Sequence, residues 1–177
     1  MLIKKDDALL VIIDMQERLV PVMDEKERVI ENNVKLAKFS RIIGLPVIFT
    51  EQQKLGSTIP EIREELRETE PISKIEFNGF GCDTFREKIK GPQRNTLIIT
   101  GIEAHICVAQ TVLSALSDYS VHVVSDAISS RSPHNRDVSL ARMSQAGATI
   151  TSTEMVIYEI LEKAGTDTFR EVLKLVK

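Results

Sequence analysis

Three side chains, those of Asp14, Lys74 and Cys107, are of the types that acid–base and nucleophilic chemistry use. Asp14 directly follows the apolar run 8–13, so its carboxylate is expected at the carboxyl edge of a sheet. Lys74 lies in a short apolar stretch, and Cys107 lies in the first turn of a predicted helix after the run 96–100. Each also has a structural interpretation: a turn carboxylate, an exposed lysine and a core cysteine.

The position of Cys107 at the start of a helix favours a reactive thiol. The helix dipole and the free N–H groups there stabilise a thiolate, so we expect the pKa of Cys107 to be lowered. Cys82 has no comparable helix start and is expected to be an ordinary structural thiol. His105 is a poor partner for Cys107, because side chains at positions i and i+2 of a helix point about 200° apart.

The composition limits the classes of protein to which this chain can belong. The chain has 177 residues, which suits a single domain spanning 1–177. Lys and Arg number 23 against 26 Asp and Glu, a formal charge of -3 that argues against nucleic acid as a partner. No window approaches 18 consecutive apolar residues, so we expect no membrane partner. The start of the chain turns acidic before any long apolar stretch, and we therefore expect a cytoplasmic protein.

The sequence contains no motif for a metal or a nucleotide. It has no His-x-His, no HExxH and no paired cysteines, and Gly101 alone is not a glycine-rich phosphate-binding motif. We therefore expect no metal and no cofactor. The polar run 129–136 follows a predicted strand. It could hold an anionic substrate group, although such a run is more often a solvated loop with a helix cap.

Short apolar runs alternate with segments of helical periodicity along the chain. The predicted strands are 8–13, 46–50, 96–100, 121–125 and 148–151, with a weaker one at 72–75. The predicted helices are 24–43, 104–118, 133–146, 153–163 and 167–176. This alternation predicts a parallel α/β sheet with helices on both faces, and the loops at the carboxyl ends of its strands are where a binding site is expected.

Taken together, these motifs resemble the isochorismatase-like cysteine hydrolase superfamily, which includes nicotinamidases, N-carbamoylsarcosine amidase and isochorismatase. The resemblance extends over nearly the whole chain, and the stretch 51–61 is most similar to the isochorismatase domain-containing protein subgroup. The segments that carry it are VIIDMQ at 11–16, ISK at 72–74, TGIEAHICV at 100–108, VVSDA at 123–127 and ARMSQAGA at 141–148.

The resemblance implies a fold and a site. The fold is a three-layer α/β/α structure with a six-stranded parallel sheet of order 3-2-1-4-5-6. The catalytic triad corresponds to Asp14, Lys74 and Cys107. A non-proline cis peptide bond corresponds to Ile102–Glu103, and the backbone N–H groups of Glu103 and Cys107 correspond to the oxyanion hole.

The implied chemistry is amide hydrolysis through a covalent acyl-thioester. Lys74 would stabilise the Cys107 thiolate, and Asp14 would take the thiol proton and deliver it to the leaving amine. The substrate would be a small molecule, and a homo-oligomer, a dimer or larger, is expected. The alternative is a scaffold or binding protein that keeps the fold and has little turnover.

The sequence departs from two members of the superfamily. Nicotinamidases carry an Asp-x-His metal site where this chain reads QQK at 52–54, so no catalytic zinc or iron is expected. Isochorismatase itself uses no cysteine nucleophile, so the presence of Cys107 argues against that activity. The residues predicted to line the substrate pocket are Gln16, Leu19, Leu55 and Phe77.

Overall fold

The computed structural model describes residues 2–176 and contains one six-stranded sheet in which every paired strand is parallel. The strand order is β3-β2-β1-β4-β5-β6, which confirms the predicted order. The strands are β1 (Ala8–Ile13), β2 (Val47–Gln52), β3 (Ile72–Lys74), β4 (Thr96–Ile102), β5 (Ser120–Ser129) and β6 (Thr149–Thr151).

Between residues 2 and 176, seven α-helices connect and cover the strands. They are α1 (Lys26–Ile43), α2 (Pro60–Arg63), α3 (Asp83–Lys90), α4 (Ala109–Ala115), α5 (Pro133–Gln145), α6 (Thr153–Leu161) and α7 (Asp167–Val176). The predicted helix 104–118 is divided into a π-helical turn, Ala104–Val108, and α4. α2 and α3 lie in the irregular stretch 52–91, where no helix was predicted. None of these helices has the length and apolar character needed to cross a membrane.

Strand β1 is apolar along its whole length because both of its faces are buried. Leu10 and Ile12 belong to the core on one face of the sheet, and Leu9, Val11 and Ile13 belong to the core on the other. The first core includes residues of α1, α6 and α7, and the second includes residues of α3, α4 and α5. The alternation of strands and helices thus builds the three predicted layers.

Gly101 allows β4 to approach β1 closely at the carboxyl edge of the sheet. Its φ is +118°, and a Cβ atom there would lie 2.1 Å from the carbonyl oxygen of Ile13. Only glycine fits such a contact with backbone. This contact brings the end of β1, which carries Asp14, next to the turn that carries Cys107.

The peptide bond between Ile102 and Glu103 is trans, so the expectation of a cis bond here is wrong. The chain turns out of β4 in another way, because Glu103 adopts the left-handed conformation with a φ of 55°. The amide of Ile106 then donates to the carbonyl oxygen of Glu103 over 2.9 Å and begins the π-helical turn.

Strand β5 contains an irregularity that changes what reaches the carboxyl edge. Ile99 pairs with Val123, but Gly101 pairs with Ile128, so β5 has extra residues between these pairs. Asp126 lies in this bulge and accepts hydrogen bonds from the amide and hydroxyl of Thr153 at 2.8 and 2.9 Å, which caps α6. The bulge therefore determines which residues of β5, and of the loop after it, lie at the carboxyl edge of the sheet.

Candidate active site

The carboxylate of Asp14 is buried at the carboxyl end of β1 and held from two sides. The hydroxyl of Thr50 donates to Oδ1 over 2.6 Å, and Nζ of Lys74 donates to Oδ2 over 2.8 Å. The backbone of Asp14 has a φ of 53°, a conformation uncommon outside glycine, and its amide donates to the carbonyl oxygen of Thr50 over 3.2 Å. These contacts fix the carboxylate in one orientation.

The ammonium group of Lys74 is enclosed by protein. Besides Asp14, it donates to Oε1 of Gln52 at 2.7 Å and to the carbonyl oxygen of Glu76 at 3.2 Å. The side chains of Lys74 and Asp14 are both 0% exposed. Because an ammonium group has three donors and all three have acceptors here, Lys74 acts on the site through its charge.

Cys107 lies in the π-helical turn after β4 and is buried. Burial, followed by the negative charge of Asp14, raises the pKa of the Cys107 thiol to about 12, and the charge of Lys74 only partly opposes this. A hydrogen bond to Asp14 and the charge of Glu103 raise the pKa further. The expectation of a lowered pKa is therefore wrong, because it considered the helix start without the loss of solvent and the two carboxylates. The resting side chain is a neutral thiol.

Asp14 and Cys107 share a cavity of about 330 Å³ at the carboxyl edge of the sheet. Of the residues predicted to line it, Leu19, Leu55 and Phe77 do so. The remaining lining residues, which were not predicted to contact substrate through their side chains, are Val22, Gln52, Glu103, Ile106 and Arg131. A cavity of this size suits a small molecule. A larger cleft of about 670 Å³ lies near the start of β2 and contains none of the triad residues.

Gln16 lies behind the cavity wall and does not line the cavity. Its amide nitrogen donates to the carbonyl oxygens of Gln52 and Gly56 at 2.9 and 2.7 Å, and its Oε1 accepts from the amide of Gln52 at 2.8 Å. The side chain is fully buried and uses its polar atoms within the protein. It therefore supports the wall through the end of β2 and the following loop.

Glu103 and Arg131 form an ion pair at the cavity that the sequence reasoning missed. Nε of Arg131 donates to Oε1 of Glu103 over 2.5 Å. Nδ1 of His105 lies 3.3 Å from Oε2 of Glu103 and 2.9 Å from the hydroxyl of Ser130. The one available sequence signal was the polar run 129–136, which was considered as a possible holder of an anionic group. The family resemblance assigns Glu103 to the cis peptide bond and to the oxyanion hole through its backbone N–H, and it gives its side chain no role.

Within residues 2–176, no group of three or more His, Cys, Asp and Glu side chains is arranged to hold a metal ion. The stretch 52–54 offers amide and ammonium groups where the sequence comparison with nicotinamidases placed metal ligands. Among the described residues, the nucleophilic and charged side chains at or beside the cavity are one thiol, two carboxylates and two cations: Cys107, Asp14, Glu103, Lys74 and Arg131.

Comparison with solved structures supports the architecture. MAR1 ribonuclease from Caenorhabditis elegans has a TM-score of 0.93 and 33% identity, with 99% of this chain and 92% of that chain covered. YcaC from Pseudomonas aeruginosa, solved with hexane-2,5-diol and covalent acrylamide, has a TM-score of 0.92 and 28% identity over 98% and 91%. YcaC from Escherichia coli, described as an octameric hydrolase of unknown specificity, has a TM-score of 0.89 and 25% identity over 99% and 87%.

Comparison with the sequences of other proteins identifies the family. Isochorismatase domain-containing protein 2 of Homo sapiens is 36% identical, with 96% of this chain and 83% of that protein covered. The secreted isochorismatase effector Isc1 of Phytophthora sojae is 34% identical over 96% and 84%. The family model described as the isochorismatase domain matches residues 8–155. The chain therefore belongs to the isochorismatase-like hydrolase family.

Proposed function

We propose that this chain is a metal-independent cysteine hydrolase that cleaves a small amide or a related C–N bond. The observation that carries the proposal is that the thiol of Cys107 and the carboxylate of Asp14 share one small cavity, with Asp14 fixed by Thr50 and Lys74. A nucleophile beside an oriented base is the arrangement that covalent catalysis requires.

The first step forms the bond between Sγ of Cys107 and the carbonyl carbon of the substrate. Because burial and Asp14 raise the pKa of the thiol to about 12, Cys107 carries its proton until a substrate is present. Asp14 takes that proton as the bond forms, and negative charge moves to the carbonyl oxygen of the substrate. The cation of Lys74 stays beside the reacting groups throughout.

The second step breaks the C–N bond. Asp14 returns its proton to the leaving nitrogen, and an acyl-thioester on Cys107 remains. Asp14 then deprotonates a water molecule that attacks the thioester carbonyl. The S–C bond breaks as Asp14 passes that proton to Sγ, which restores the thiol of Cys107, and the carboxylic acid leaves. In this proposal the backbone N–H groups of Glu103 and Cys107 hold the oxyanion, a contact worth roughly 3–4 kcal/mol in comparable sites.

Acrylamide is a small amide whose alkene alkylates thiols, so the covalent acrylamide described for the P. aeruginosa YcaC structure is compatible with a reactive thiol in that relative. RNA does not suit this cavity as a substrate, although the C. elegans relative is named a ribonuclease. The cavity is small and the net charge of the chain is -3, whereas RNA-binding surfaces carry a basic excess.

A homo-oligomer and a cytoplasmic location belong to the same proposal. The octameric E. coli relative supports assembly, and light scattering on the purified protein would measure the subunit number. The relative from P. sojae is described as secreted, so fractionation of the source cells decides the location.

The direct test is a screen of small amides and carbamoyl compounds for release of ammonia. We expect the wild-type protein to release ammonia from at least one compound, and Cys107→Ala to lose at least about 10³-fold in turnover. Cys82→Ala is the matched control and should keep wild-type turnover. Equal turnover by Cys107→Ala and the wild type would refute the cysteine mechanism.

A further inference from the structure

Two large apolar side chains are exposed at the opening of the cavity that contains Cys107. Phe77 is 54% exposed and Val22 is 56% exposed, and both line the cavity. The half-buried side chains of Leu19 and Leu55 extend the same wall, and these four residues together form the apolar mouth of the cavity. Covering apolar surface with an apolar ligand is favourable, and exposed apolar patches commonly mark binding sites. The apolar mouth therefore favours a ligand with an apolar part.

The chain on either side of Phe77 is fixed by hydrogen bonds. Before it, the carbonyl oxygen of Glu76 accepts from Nζ of Lys74 at 3.2 Å. After it, the side-chain amide nitrogen of Asn78 donates to the hydroxyl of Ser114 over 2.8 Å. The exposed ring is thus carried by a constrained backbone. A ligand that enters the cavity meets a wall that is already formed, which reduces the entropy lost on binding.

The buried carboxylate of Asp14 determines how an amide must lie in the cavity. In the proposed mechanism this carboxylate returns a proton to the leaving nitrogen, so the nitrogen must point toward it. The side chains of Asp14 and Lys74 are both 0% exposed, and they close this end of the cavity. The acyl group of the amide therefore points the other way, past Cys107 and toward the apolar mouth.

We propose that Phe77 and Val22 determine substrate specificity by binding the acyl chain of the amide. The substrate class is then a small primary amide with an apolar acyl chain of several carbon atoms. In such a molecule the amide carbon lies at Sγ of Cys107, the NH₂ group lies toward Asp14, and the chain covers the apolar mouth. This inference rests on the proposed hydrolase function and specifies its substrate.

The first test measures kcat/KM for ammonia release from acetamide, propionamide, butyramide and pentanamide. These amides are all uncharged, so ionic contacts with Glu103 and Arg131 do not vary along the series. Each methylene group that moves from water to the apolar mouth should raise kcat/KM by about two- to fourfold. A kcat/KM that stays constant or falls as the chain lengthens would overturn the inference.

An isomer of pentanamide tests the orientation of the substrate. N-propylacetamide has the same atomic composition but carries its propyl group on the nitrogen, which must point toward the closed end at Asp14. We expect its kcat/KM, followed by the release of propylamine, to be at least about tenfold below that of pentanamide. Equal values for the two isomers would overturn the assignment of the apolar mouth to the acyl chain.

Substitutions assign the chain-length dependence to the two exposed residues. Phe77→Ser and Val22→Ser should each lower kcat/KM more for pentanamide than for acetamide, by about threefold or more. Because both side chains are exposed, neither substitution removes a part of the core. Val138 is the matched control, since it is 53% exposed on α5 and does not line the cavity, and Val138→Ser should show the wild-type dependence. An unchanged dependence in both mouth variants would refute their role.

Light scattering on the same variants separates a substrate contact from a contact between copies of the chain. If Phe77→Ser and Val22→Ser keep the wild-type subunit number and lose the chain-length dependence, the inference is supported. If they lower the subunit number while the chain-length dependence persists, the exposed side chains belong to an interface and the inference is overturned.

Binding to Cys107→Ala distinguishes failure of this inference from failure of the proposed function, because no probe is consumed. Calorimetry should show that pentanamide binds about tenfold or more tightly than acetamide. If that preference is present but no amide of the series is hydrolysed by the wild type, the acyl-chain site stands and the hydrolase proposal fails. If all four amides are hydrolysed with equal kcat/KM, the hydrolase proposal stands and the role of Phe77 and Val22 is refuted.

Discussion

Nζ of Lys74 lies 2.8 Å from Oδ2 of Asp14, and neither side chain is exposed to solvent. The two residues are 60 positions apart and reach each other because β3 and β1 end at the same edge of the sheet, separated by β2. Two charges buried together in this way compensate each other, and either one left alone is costly. The pair is therefore as much a condition for folding as for chemistry.

Replacing Lys74 alone should destabilise the protein. We expect Lys74→Met to lower the free energy of unfolding by about 3–5 kcal/mol, because the Asp14 carboxylate remains buried without a cation. The double variant Asp14→Asn/Lys74→Met should regain much of that loss, although it should be inactive. Urea denaturation of the three proteins measures the effect. Wild-type stability in Lys74→Met would show that the pair contributes little.

The alkylation of Cys107 should be slow at neutral pH and accelerate in strong base. An ordinary thiol has a pKa near 8.5, whereas burial and Asp14 raise that of Cys107 to about 12, so only about 10⁻⁴ of it is thiolate at pH 8. The rate of iodoacetamide labelling, followed by peptide mass spectrometry, should therefore rise from pH 8 to pH 11. Half-buried Cys82 is the internal reference and should react faster below pH 9.

The variant Asp14→Asn tests the cause of that shift. Removal of the carboxylate charge should lower the pKa of Cys107 and speed its labelling at pH 8, since the charge of Asp14 is one of the influences that raise it. Faster labelling of Cys107 than of Cys82 below pH 8 in the wild type would contradict this account. It would support instead the thiolate that the helix start alone predicted.

Gly101 should tolerate no side chain. In Gly101→Ala the new Cβ would lie 2.1 Å from the carbonyl oxygen of Ile13, so β1 and β4 would have to separate where the site forms. Gly147→Ala is a matched control, because its φ of +113° is similar and no atom lies within 4 Å of the added Cβ. We expect the control to lose about 1–2 kcal/mol from strain alone, and Gly101→Ala to lose considerably more. Equal melting temperatures would refute the close approach.

The strands and turns that carry the triad can be predicted from the sequence because their determinants are local. The run 8–13 is apolar throughout and predicts a strand buried on both faces, and the motifs around Asp14, Lys74 and Cys107 resemble one family in chain order. These features led to the strand order that the structure confirms.

The rest of the site depends on contacts that no local pattern encodes. Arg131 reaches Glu103 across 28 positions, after a bulge in β5 that appears only once β4 and β5 are paired. The pKa of Cys107 depends on burial and on Asp14, which is 93 positions earlier in the chain. Local reasoning about the helix start therefore predicted the wrong direction.

Replacing Gln16 should lower the stability of the protein more than it weakens substrate binding. In Gln16→Met, the amide of Gln52 and the carbonyl of Gly56 lose the partner that Gln16 supplies, and each unsatisfied buried group costs about 1–3 kcal/mol. We expect a lower melting temperature and faster proteolysis in the loop that follows β2. Gln53→Met changes an exposed glutamine beside it and should leave both unchanged. A Gln16→Met protein with wild-type stability and a raised KM would contradict this account. It would support the sequence-based prediction that Gln16 contacts the substrate.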